Sequence, residues 1–218
     1  MFYLEPTKLY LNIESTTKGS TTTYNAFIDN GTQANYLADE YPSESAVNNA
    51  IAQIENVKDE ILSNKTENRY KDIKMVHDYL VENISYDTSI SQPSIYDIYG
   101  ALVRKECVCE GYARAFKYLM DELGIPSVII IGTATNTQGT TESHAWNYVL
   151  MGNAWYAIDT TWDDPVSLTG GIVSASSKYK YFLKGSAEMS KDHFENGQFS
   201  DGGKIFQYPQ LSVRNYDN

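Results

Sequence analysis

Three features of the chain predict an α+β fold in which helices pack on an antiparallel sheet. Apolar residues recur at steps of three and four through residues 43–84 and again through 109–123, the period of a helix with one buried face. Residues 127–132, Ser-Val-Ile-Ile-Ile-Gly, form a nearly continuous apolar run suited to a central strand. Residues 144–150 and 154–159 then alternate as two strands around Met151-Gly152-Asn153.

The whole-chain properties narrow the class. With 218 residues, 42% hydrophobic content and 18 tyrosines, the chain can bury one good core, or one core with a small appendage. A net charge of −11 argues against nucleic acid or an anionic membrane as partner. No apolar run approaches the roughly 20 residues that span a bilayer, so no membrane insertion is expected. The N-terminus lacks a charged-then-apolar leader, and Met1-Phe2-Tyr3-Leu4 enters strand-like sequence directly. The chain is therefore expected to be part of a longer protein. Cys107 and Cys109 are too close in sequence for an unstrained bridge and are expected as free thiols. His77, His144 and His193 do not fall at metal-ligand spacing, so neither a metal nor any other cofactor is called for.

In order, the first expected element is a hairpin. Two β-branched and aromatic stretches flank Lys18-Gly19-Ser20, and Asn30-Gly31 opens a polar connection to residue 42. Residues 1–42 are thus expected as an extension and linker, and 43–218 as the core domain. Ser43 caps a helix that buries Val47, Ala50, Ile51, Ile54, Val57, Ile61 and Leu62. Thr66 is placed to cap a second, with Tyr70, Ile73, Val76, Leu80, Val81 and Ile84 on its stripe. His77 lies on or beside that stripe and is expected as a packing residue. A short helix is expected around residues 95–103.

The chemistry gathers in three patches. Cys107-Val108-Cys109-Glu110-Gly111-Tyr112-Ala113 opens the helix of residues 109–123, which Gly124 and Pro126 stop. Cys109 thus falls in the first turn, where free backbone N–H groups and the helix dipole favour a thiolate and an oxyanion. Cys107 lies outside the helix and gains less. Gly111 is expected to leave room for a substrate carbonyl. Ser143-His144-Ala145-Trp146-Asn147 opens one strand, and Asp159-Thr160-Thr161-Trp162-Asp163-Asp164-Pro165 closes the next.

Hairpin register decides whether His144 meets Asp159. A two-residue loop at Met151-Gly152 sets them directly opposite, with Cβ atoms about 4.5–5.5 Å apart. A loop at Gly152-Asn153 leaves them diagonal on one face, and a three-residue loop without a bulge separates them. In either favourable register Trp146, Tyr148, Trp155 and Ala157 share their face. Alone, a helix-start cysteine is most often a buried hydrophobe, a strand-end histidine a surface residue, and such an aspartate a turn former. Thiol, imidazole and carboxylate together are the parts of a thiol acyl-transfer site.

Past Pro165, residues 168–177 are rich in Gly and Ser, and 179–183 reads as a strand. Residues 189–193 read as a helical turn, with His193 on the surface. Residues 133–142 are expected as a polar loop rimming the site.

The sequence resembles the transglutaminase-like superfamily, in its short bacterial transglutaminase/protease-like branch. The resemblance rests on residues 108–113, on His144-Ala145-Trp146-Asn147, and on Trp155-Tyr156 leading into Asp159 and Thr161-Trp162-Asp163-Asp164-Pro165. Tyr86-Asp87 and Tyr99-Gly100-Ala101-Leu102 extend it upstream and Tyr181-Phe182-Leu183 downstream, so it covers roughly residues 67–195. It implies a papain-like fold, with Cys109 as nucleophile, His144 as base and Asp159 as third member. Tyr86, Gln92 and Trp162 are candidates for a second oxyanion donor beside Cys109. Gly111, Tyr112, Trp146 and Trp162 are candidates for the substrate groove.

The expected activity is acyl transfer from a peptide or carboxamide bond of a protein, peptidase-like in its second step. Isopeptide cross-linking is the alternative, and a non-catalytic binding module the rival from another class. The chain length and the lack of an EF-hand-like loop lean away from calcium-activated cross-linking. An extracellular or envelope location is the expectation that goes with the resemblance.

Overall fold

The computed structural model describes residues 11–19, 21–28, 41, 43–90, 94–164, 178–196, 200–201, 204–205 and 207–217. Strands β1 (Leu11–Lys18) and β2 (Thr21–Ile28) pair antiparallel with Lys18 opposite Thr21, making a two-stranded sheet of their own. Gly19 takes a positive φ of 63° at the turn, as the Lys18-Gly19-Ser20 signal requires. Of the expected linker only Tyr41 is described. It is buried in the main core, its hydroxyl on Asp97 Oδ2 at 3.1 Å.

Helix α1 (Glu44–Leu62) starts at Ser43, whose hydroxyl accepts the Ala46 N–H at 3.2 Å. Helix α2 (Arg69–Asn83) is capped by Asn68, whose side chain accepts the Lys71 N–H, and not by Thr66. Thr66 instead sends both its N–H and its hydroxyl to Asp72 Oδ1, at 2.6 and 2.9 Å. Ile73, Val76, His77, Leu80 and Val81 of the expected stripe are buried on α2, while Tyr70 is only partly buried and Asp72, off the stripe, is buried with them. The short helix expected at 95–103 is a π-helical turn over Tyr99–Arg104, whose first N–H groups bond to Asp97 Oδ1.

Strand β3 (Ser85–Tyr86) pairs in parallel with β4 (Glu106–Cys107), which delivers the chain to helix α3 (Cys109–Glu122). Gly124, at φ 67°, ends α3 with its N–H on Asp121 O, while the Ile125 N–H returns to Met120 O. The main sheet follows: β5 (Ser127–Thr135), β6 (Thr141–Met151), β7 (Ala154–Ile158) and β8 (His193–Glu195), ordered β7-β6-β5-β8 and antiparallel throughout. The polar stretch at 133–142 is not a long loop. Thr135 pairs with Thr141, so both strands run on and only a short turn remains.

Residues 179–183 form turns and not a strand, because their backbone groups are used elsewhere. Tyr181 N–H bonds to Asp163 Oδ1 at 2.8 Å, and Lys184 exchanges hydrogen bonds with Ala157. Helix α4 (Ser186–Met189) and β8 come next, then β9 (Ser200–Asp201) and β10 (Lys204–Ile205), with Asp201 opposite Lys204.

Alternation along β6 divides the interior in two. Val149, with Ile158 of β7, joins the larger core against α1, α2 and α3, where Tyr112, Phe116 and Leu119 are buried. Asn147 bonds through Nδ2 to Ala113 O of α3, fixing which face meets that helix. Trp146, Tyr148 and Ala157 face a second cluster with Ile130, Tyr181 and Met189, and Trp155 packs against it. Among the described residues no helix is long and apolar enough to cross a membrane.

Candidate active site

The β6–β7 hairpin turns on Gly152-Asn153, with Met151 opposite Ala154 and Asn147 opposite Ile158. That is the second of the two favourable registers, in which His144 and Asp159 share a face as diagonal neighbours. Because β7 stops opposite Asn147, the start of β6 has no β7 partner and the chain turns there from Asp159 to Asp164. His144 reaches Asp159 across that corner, with Nε2 at 2.7 Å from Oδ2. A carboxylate only accepts, so Nε2 carries a proton and Nδ1 is left for the Cys109 thiol.

Cys109 stands at the first position of α3, partly exposed, after Val108 in extended conformation. Its thiol is a hydrogen-bond and charge partner of the His144 ring. Burial opposes a charged His144, but the Asp159 carboxylate and Cys109 outweigh it and push its pKa up to about 10. Burial likewise works against an ionised Asp159, yet the two imidazoles on it hold it well below the ordinary carboxylate range. Asp159 is saturated: Oδ1 accepts the N–H groups of Thr161 and Trp162 at 3.0 and 3.1 Å.

The second imidazole is His193, and here the expectation of a surface residue is wrong. His193 is 5% exposed, and its Nε2 lies 3.0 Å from the same Asp159 Oδ2. Pairing of β8 with β5 sets it opposite Ala134, which carries it over 34 residues of chain to the aspartate. A three-residue strand gives no periodicity to read. The available signal was Gly132, a glycine closing an apolar strand, which marks a close backbone approach. A Cβ there would lie 2.2 Å from Phe194 O and 2.6 Å from the Trp146 ring.

Cys107 is buried, and burial, then the nearby Cys109, Asp97 and Asp164, push its thiol pKa well up. Gly111 serves that neighbour and not a substrate carbonyl. A Cβ on it would lie 2.5 Å from Cys107 Cβ and 2.8 Å from Ile95 O. Tyr112 is wholly buried with its hydroxyl on Asp164 Oδ2 at 2.6 Å, and Trp146 is 2% exposed. These three residues are structural walls of the site, not an open groove.

Trp162 is half-buried, its ring 5.3 Å from His144 and 4.8 Å from His193, so it covers both imidazoles. Tyr86 is drawn to Cys109: its hydroxyl accepts the Cys109 backbone N–H. Burial, then the charges of Cys109 and Glu142, push its pKa up to about 12. Gln92 lies outside the described residues.

Among the described residues, the His, Cys and acidic side chains that gather closely enough for a metal ion are His144, Asp159 and His193, with ligand atoms within 4.8 Å. Here those atoms bond to one another through protons, and a cation would have to displace both.

Comparison with known proteins agrees with this architecture. Residues 55–160 match the model of the transglutaminase-like superfamily. The kyphoscoliosis peptidases of Mus musculus and Homo sapiens are each 24% identical, over 73% of this chain and 26% of their own length. The chain thus spans about a quarter of the curated relatives it matches. Among solved structures, a TGase aligns over 78% of this chain and 48% of its own, at 16% identity and TM-score 0.46. An arylamine N-acetyltransferase of Bacillus cereus aligns over 75% and 71%, at 13% identity and TM-score 0.44.

Proposed function

We propose that this chain, which belongs to the transglutaminase-like superfamily, is a thiol-dependent acyl-transfer enzyme with the hydrolytic outcome of a cysteine peptidase. Its substrate is a peptide or carboxamide bond of a protein. One observation carries the reading: a cysteine at a helix start meets a histidine whose far nitrogen is 2.7 Å from a saturated, ionised aspartate.

In the first half, Cys109 Sγ attacks the carbonyl carbon while His144 holds the thiol proton as an imidazolium. The C–N bond breaks, His144 passes its proton to the leaving amine, and a thioester remains. In the second half, water attacks the thioester and gives its proton to His144. The C–S bond breaks, releasing the acid and restoring thiolate and imidazolium. Asp159 fixes the tautomer throughout and keeps its negative charge. An amine in place of water would give an isopeptide instead. We assign the oxyanion donors to the Cys109 N–H and the Tyr86 hydroxyl: the N–H bonds to the Tyr86 oxygen beside the thiol, and an entering oxyanion would take over that N–H and receive the Tyr86 O–H as well.

The test is the pH dependence of iodoacetamide alkylation at each cysteine, read by peptide mapping, with His144→Ala as control. Selective reaction of Cys109 at pH values well under the ~8.5 of a free thiol, lost in the variant, is the expected result. Cys107 should stay inert because it is buried. Equal and slow reaction of both thiols would sink the enzyme reading in favour of a binding module.

A further inference from the structure

His193 has no part in the three-residue scheme above, yet it is bonded as fully as any residue in the site. Its Nε2 is 3.0 Å from Asp159 Oδ2 and its Nδ1 is 2.7 Å from Asp192 Oδ1. Carboxylates only accept, so two carboxylate partners require two ring protons, and the ring is a cation. Three aromatic rings enclose it, with centroids at 4.8 Å (Trp162), 4.9 Å (Tyr181) and 5.1 Å (Trp146). Asp192 is held in turn by the Tyr181 hydroxyl at 2.7 Å, with Lys180 at 3.8 Å.

We propose that His193 is a positioning residue: an imidazolium fixed between Asp159 and Asp192, it anchors Asp159 opposite His144 and limits how tightly that carboxylate can hold the His144 proton. The inference rests on the acyl-transfer reading and adds a regulator to it. Its logic is that one carboxylate oxygen serves two rings. An aspartate facing His144 alone, in a buried site, would hold His144 as an imidazolium too firmly to take a proton from water in the second half-reaction. A neighbouring imidazolium draws on the same charge and brings His144 back within reach of base chemistry.

The groups that bear on this balance come from several elements. His144 lies on β6, Asp159 just after β7, Asp192 beside the start of β8, and Tyr181 with Lys180 in the turns before α4. Burial works against a charged His193, but its bonds to Asp159 and Asp192 hold its pKa raised, while the charge on His144 lowers it. The geometry and the electrostatics agree in sign.

The test uses p-nitrophenyl acetate as acyl donor, which separates a burst of acylation from steady-state deacylation. In the His193→Phe variant the burst should persist. Deacylation at pH 7 should slow roughly tenfold, and its pH midpoint should rise by about one unit, with kcat and KM falling together and kcat/KM little changed. His193→Gln, which keeps a donor to Asp159 but no charge, should restore part of the folding stability and none of the pH shift. Histidine ring NMR on the unaltered protein covers the case in which neither variant folds: His193 should show both nitrogens protonated at pH 7. A neutral His193 tautomer in that spectrum would overturn the proposal. So would a folded His193→Phe protein whose burst and turnover fall together with no pH shift. Absence of selective Cys109 alkylation in the unaltered protein is a different failure, because it removes the acyl-transfer reading and leaves the protonation of His193 standing.

Discussion

Two buried histidine–carboxylate pairs hang on the same corner of the chain, because Asp159 and Asp163 lie four residues apart after β7. His144 Nε2 meets Asp159 Oδ2 at 2.7 Å, and His77 Nε2 meets Asp163 Oδ2 at 3.0 Å. Burial, residue types and bond are nearly alike. The difference is what each second ring nitrogen faces. For His144 it is the Cys109 thiol, while for His77 it is Asp78 Oδ1 at 3.2 Å. A ring held by carboxylates at both ends is locked in place, and Tyr179 stacks on it while Phe182 meets it edge-on. A ring held at one end, with a thiol at the other, can exchange a proton.

The carboxylates differ as well. Asp159 receives two imidazoles and two backbone N–H groups and stays ionised, whereas Asp163 has one imidazole and the Tyr181 N–H. For Asp163 burial wins over His77, and its pKa is pushed up to about 6. The second imidazole, His193, decides which aspartate stays far below the ordinary carboxylate range.

The largest expected effect comes from exchanging the two aspartates for asparagine in turn. Asp159→Asn should cut acyl turnover by roughly 10³-fold or more, by freeing the His144 tautomer. Asp163→Asn should cost about 3 kcal/mol of stability, as breaking one side of a buried pair does, and spare turnover. Activity assays beside thermal melts check both. Equal losses of turnover in two folded variants would erase the distinction between the pairs.

Next in size are the histidines. His144→Gln should slow Cys109 alkylation near pH 6 by roughly 10²-fold. His77→Gln should lower the melting temperature and leave that rate alone.

The pairs should also separate in their pH windows. The folded-state pKa of His144 is raised, so its contribution to stability is complete below about 6.5 and is lost as pH rises through about 10. Melts of the unaltered protein and His144→Gln should therefore converge across that range, at a slope on the order of 1 kcal/mol per pH unit. Asp163 is also raised, from 3.8 to about 6, so its contribution falls with rising pH across that lower interval. Asp163→Asn should accordingly shift the profile only on the acid side.

How far the sequence disclosed these pairs follows from how local each contact is. His144 and Asp159 are joined by a tight hairpin, so two candidate loops limited their relation to two geometries on one face. Cys109 was legible because Gly124 and Pro126 stop its helix and fix its start by periodicity. His77 was legible as a packing residue from its stripe, though not its partner, which is 86 residues away. His193 was misread for the same reason: its place is set by β8 pairing with β5, and a three-residue strand encodes no pattern of its own. Gly111 was misread because the residue filling its space, Cys107, is decided by the β3–β4 pairing.

The smallest expected effect tests the comparison at its finest point, the second nitrogen of His77. Asp78 is partly exposed and also bonds to Lys74 at 2.5 Å, so solvent and a second cation already share its charge. Asp78→Asn should therefore cost no more than about 1 kcal/mol, the range of exposed ion pairs, read as a small drop in melting temperature. The rate of Cys109 alkylation should not move, since nothing on the His77 side exchanges protons with the thiol. A measurable change in that rate would mean that strain at His77 passes through residues 159–163 to Asp159. The two pairs would then be one coupled unit, and the locked histidine would be part of the tuning of the working one.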